Sequence, residues 1–103
     1  MKVQNMRSAN FNKVPNQFII EDEGRGALGN FIKRQTFQSY DTVIAVKTVW
    51  EDKTRIELDR DKWDYSKTTG KYRNLFLGEK KAETQKKIDS GEYQLVDLNQ
   101  HGY

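Results

Sequence analysis

The strongest alternation in the chain lies at Thr42-Val43-Ile44-Ala45-Val46-Lys47-Thr48-Val49-Trp50. Two-residue periodicity places Ile44, Val46, Thr48 and Trp50 on one face and Val43, Ala45, Lys47 and Val49 on the other. Both faces are largely apolar, which predicts an interior strand. Glu51 to Thr54 is polar and turn-forming, and Arg55 to Asp59 then alternates with Ile56 and Leu58 inward, so the two runs should pair as a hairpin. Upstream, Gln17 to Glu21 is a short β-prone run between Pro15 and the sequence Asp22-Glu23-Gly24-Arg25-Gly26. Phe31 to Tyr40 carries rings at 31, 37 and 40 with polar residues between, and Ser39-Tyr40-Asp41 supplies a turn. Residues 1–16 show neither period and read as an irregular arm, with Phe11 or Val14 tucked against the body.

After Trp63 the period changes. Ser66 is a good N-cap, with Asp64 as the alternative, and Thr69, Tyr72 and Phe76 follow at i, i+3 and i+7. This predicts a helix over Lys67 to Leu77, stopped by Gly78, with Trp63, Tyr65, Ser66, Tyr72 and Phe76 anchoring it to the sheet. A second, mostly polar helix from Glu79 to Ile88 ends at Ser90-Gly91. Glu92 to Leu98 reads as a last strand, able to add to the sheet edge. The expected fold is α+β: a mainly antiparallel sheet of four or five strands, with two short helices before the last strand. It is organised as an irregular arm (1–16), a single domain (17–99) and a short tail (100–103).

Composition narrows the function. With 103 residues, 35% hydrophobic and 12% aromatic, the chain can build one thin, ring-weighted core. The absence of cysteine excludes disulfides and thiolate chemistry, and cytoplasm is the expected compartment. No apolar run is long enough to span a bilayer, and the first residues lack a signal-peptide core, so neither secretion nor a membrane partner is expected. The net charge of +3 is modest and its distribution matters more. From Lys67 to Leu77 there is no acid, while Lys67, Lys71 and Arg73 are present beside Tyr65 and Tyr72. Helical spacing turns Tyr72 inward with Thr69 and Phe76, leaving Lys67, Lys71 and Arg73 as exposed contacts for phosphates.

Other motifs fail their context. Gly24, Gly26 and Gly29 match Gly-x-Gly-x-x-Gly after a strand, but no amphipathic helix follows and the chain is too short for a doubly wound sheet. Asp59, Asp61 and Asp64 lack the spacing of a calcium loop. The only histidine, His101, lies in the tail, away from any expected cleft. No catalytic residue, cofactor or metal site is expected. Acidic Glu21-Asp22-Glu23 and basic Lys80-Lys81 remain as candidate docking patches.

One set of phrases carries a resemblance: Phe37-Gln-Ser-Tyr40 with Thr42, Ile44 and Ala45; Trp63-Asp-Tyr-Ser66 with Thr68-Thr69 and Lys71; Phe76-Leu77-Gly78; and Ser90-Gly91-Glu92-Tyr93 running into Leu95 to Asn99. Together they resemble a family of small uncharacterised proteins of bacteriophages and other mobile elements, over roughly residues 30–99. The segment before Asn30 finds no counterpart. The resemblance implies a non-enzymatic antagonist of host defence, with a CRISPR effector nuclease as the first expected partner. The competing expectation is a small DNA- or RNA-binding accessory protein.

Overall fold

The computed structural model describes residues 1–8, 10–24 and 31–99. Gly26 and Gly29 of the glycine loop, and the tail with His101, lie outside the described residues. The chain forms β1 (Lys2–Arg7), β2 (Lys13–Glu23), β3 (Lys33–Ser39), β4 (Thr42–Val49), β5 (Thr54–Asp59), α1 (Lys67–Leu77), α2 (Lys81–Asp89) and β6 (Tyr93–Val96). It is an α+β fold with one six-stranded sheet in the order β1-β2-β3-β4-β5-β6. The first five strands form an antiparallel meander, and β6 lies parallel to β5. A parallel neighbour needs a long crossover, and α1 with α2 provides it.

The extra strand comes from residues expected to be an irregular arm. β1 is an edge strand whose first residues are exposed on both faces, so burial imposes no alternation there, and only Met6 reaches the core. β2 begins at Lys13 and runs through Pro15. Its register against β1 breaks between Asn5 and Arg7, and Asn16 adopts a left-handed φ of 64°. At such an irregularity the ladder does not require the amide that proline lacks. The Asn5 side chain fills the gap by donating to the Val14 carbonyl at 3.0 Å.

A second irregularity reassigns a face of β4. Phe37 pairs with Ala45 and Gln38 with Val43, leaving Ile44 as the extra residue of a bulge. Ile44 and Ala45 are both fully buried, in one cluster with Phe37, Leu58, Tyr72 and Tyr93. Strict alternation had placed Ile44 opposite Ala45; the bulge turns both toward the helices. That layer is thin, with α1 lying against β3 and α2 against β6. Phe76 reaches Phe37 with ring centroids 5.8 Å apart, and Thr69 shares a 3.0 Å hydrogen bond with Ser39.

Gly24 closes the end of β2. A β-carbon there would stand 1.7 Å from the Phe31 carbonyl oxygen, so the close approach of the chain requires glycine. Among the described residues no helix is long and apolar enough to cross a membrane.

Candidate functional site: a basic groove

The helix that carries the site is fixed by its ends. Ser66 has extended backbone angles, and its hydroxyl accepts from the Thr69 amide at 3.1 Å. Gly78 takes the left-handed conformation and donates to the Asn74 carbonyl at 2.8 Å. With these ends set, Thr69, Tyr72 and Phe76 turn toward the sheet, and Arg73, one turn beyond Thr69, turns with them.

Arg73 therefore departs from its expected role as an exposed contact. It is 1% exposed, and its guanidinium sits 5.2 Å from the Trp63 ring. Its Nη1 donates to the Trp63 carbonyl at 2.8 Å and to Asp64 Oδ1 at 3.1 Å, and its Nη2 donates to Asn74 Oδ1 at 3.0 Å. Asp64 also pairs with Lys81 from the start of α2. Burial pushes the Asp64 carboxyl up, but the hydrogen bonds from Lys81 and Arg73 outweigh it and hold the group below the usual carboxylate range. Asp64, which the sequence offered only as an alternative N-cap, thus clasps α1 to α2.

Around this clasp opens a groove of about 860 Å³. Arg7 and Ser8 at the end of β1 form one side; Lys67, Gly70, Lys71 and Asn74, a stripe at helical spacing, form another. Among the described residues five cationic side chains, Arg7, Lys67, Lys71, Arg73 and Lys81, line it against a single carboxylate, Asp64. Tyr65, expected to anchor the helix, is 45% exposed and lines the groove instead. The Lys62 ammonium lies 5.4 Å from its ring centre. Trp63, Tyr72 and Phe76 pack in or against the core.

The remaining candidates lie elsewhere. Lys80 is exposed at the start of α2 and does not line the groove. Glu21, Asp22 and Glu23 are carried to the far end of the sheet, since Glu21 pairs with Lys2 while Arg7 pairs with Lys13. Glu21 is held below the usual carboxylate range by hydrogen bonds from Lys33 and Gln35. A second polar cluster ties α2 to β6. Glu79 accepts from Lys87 and from the Tyr93 hydroxyl at 2.8 Å each, and from Thr84 at 2.6 Å. Burial and the hydrogen bond to Glu79 push the Tyr93 phenol up to about 12.

Sequence reasoning missed Arg7 and Asp64. Arg73's burial had a signal in its spacing of four from Thr69. Arg7 had none, because it reaches the groove only through strand pairing.

The arrangement defines a small α+β protein with a cation-lined groove suited to anionic ligands. A model of a family described only as a family of unknown function, DUF8033, matches residues 1–92, and the chain belongs to that family. The match includes the segment before Asn30, so β1 and Arg7 belong to the family's shared region together with α1 and Lys81. No curated protein and no solved structure matches the chain.

Proposed function

We propose that the protein is a non-enzymatic binding protein of a bacteriophage or other mobile element, and that it holds nucleic acid in the groove between β1 and α1. The observation that carries this reading is the groove's charge: among the described residues four accessible cations, with Arg73 buried behind them, stand against one carboxylate, in a protein whose overall charge is only +3. Phosphates are the polyanion for which such a concentration of ammonium and guanidinium groups is suited.

The test is a titration into labelled single- and double-stranded nucleic acid over a range of salt. Arg73 is sealed inside, which leaves Arg7, Lys67, Lys71 and Lys81 to meet phosphates. At about 0.7 released counterions per contact on a single strand, the slope of log affinity against log salt should be about −3 at most. Replacing Lys67 and Lys71 by alanine should reduce its magnitude by about 1.4. Absence of binding at low salt removes the reading.

A second reading is inhibition of a host defence complex, such as a CRISPR effector nuclease, by direct protein binding. What favours it is the outer edge of β1, which pairs with no strand among the described residues and exposes Val3, a place for a partner's strand to add. Plasmid-interference assays against a panel of host nucleases test it, and a uniformly negative panel counts against it.

A further inference from the structure

Resting on the nucleic-acid reading of the groove, we infer that its ligand is a single strand and that Tyr65 is the platform on which one of its bases stacks. The groove, of about 860 Å³, is open along its length, so a strand can lie in it without being enclosed. Lys67 and Lys71 stand one turn apart on α1, about 6 Å along its axis. This is of the order of the separation of successive phosphates in an extended strand. Arg7 faces them from the end of β1.

A duplex ridge inserted here would present phosphate and sugar alone. The groove, however, offers more than charge. Tyr65 lines it with 45% of its surface exposed, and Leu75 lines it with 56% exposed. Such surfaces gain nothing from phosphate and gain most from an unpaired base, since every base has a face to stack on a ring. Lys62 occupies one side of the Tyr65 ring, so the base takes the other, with the Lys62 ammonium near the adjoining phosphate.

The experiment is a fluorescence-anisotropy titration of the whole chain with three probes: an oligonucleotide, its duplex, and an abasic strand with the same number of phosphates. Wild type should bind the oligonucleotide more tightly than either of the other two. Tyr65→Ala should weaken oligonucleotide binding by about 5- to 140-fold, the range of one stacked base. It should leave the salt slope and the affinity for the abasic strand unchanged, and Tyr65→Phe should restore stacking. Lys71→Ala should do the reverse, lowering the salt slope and the affinity for all three probes. Because Tyr65 is exposed, Tyr65→Ala should melt with wild type. Equal affinity for duplex and single strand, or an unaltered affinity in Tyr65→Ala, overturns the inference while the groove's reading stands. Failure of wild type to bind any probe removes that reading, and the inference with it.

Discussion

Removing Asp64 should destabilise the protein more than removing Arg73, although the two form one ion pair, because their burial is unequal. Arg73 is 1% exposed and Asp64 31%. In Asp64→Ala a full positive charge stays buried, with the Trp63 carbonyl and the Asn74 side chain as its remaining acceptors. Stranding one partner of a buried pair costs about 3–5 kcal/mol, and the partial exposure of Asp64 puts this case near 3. In Arg73→Met no buried charge is stranded, since Asp64 keeps Lys81 and reaches solvent. What remains is a Trp63 carbonyl short of a donor, and methionine refills most of the volume, so the cost is about 1–2 kcal/mol. For a domain of this size about 1 kcal/mol moves Tm by 4–8 °C, so Asp64→Ala should melt roughly 5–15 °C below Arg73→Met. Urea and thermal denaturation of wild type, both single variants and the double variant provide the measurement. The double variant buries no charge and should melt near Arg73→Met, recovering about 1–2 kcal/mol of the Asp64→Ala loss. Arg73→Met melting below Asp64→Ala, or strictly additive single effects, would refute the reasoning.

Two further outcomes follow from the same packing. Gly70 lies in the interior of α1, and a β-carbon there would meet the Arg73 guanidinium at 3.7 Å, an ordinary contact. Gly70→Ala should therefore stabilise by about 0.8–1 kcal/mol in a denaturation experiment, and a loss would show that the guanidinium cannot share that space. For Tyr93 the folded state holds the phenolic proton more tightly than the unfolded chain does, with its pKa raised from 10.0 to about 12. This contribution is complete below pH 10 and lost as pH rises from 10 to 12. The stability gap between wild type and Tyr93→Phe should close over that range, and a gap independent of pH contradicts it.

Where local chemistry decides, the fold was legible. Ser66 and Gly78 set the ends of α1 through their own capping groups, and its observed range, Lys67–Leu77, is the one their spacing predicts. The β4–β5 hairpin follows from alternation in the same way. What stayed hidden depends on pairing across the sheet. β1 is too exposed to alternate, Pro15 is tolerated only because β2 bends beside it, and the Ile44 bulge answers to the register of β3. The groove was half legible. Lys67 and Lys71 followed from the acid-free helix, and Lys81 was identified only as part of a basic patch. Arg7 is brought in by the meander, and Arg73 and Tyr65 exchange their expected places, one buried and the other open.

The groove takes one of its walls from the end of the first strand and another from a helix that follows the entire meander. No contiguous fragment shorter than that span can assemble it. A molecule bridging the two walls would therefore act as a clamp between distant parts of the chain, coupling its own occupancy to cooperative unfolding of the whole protein.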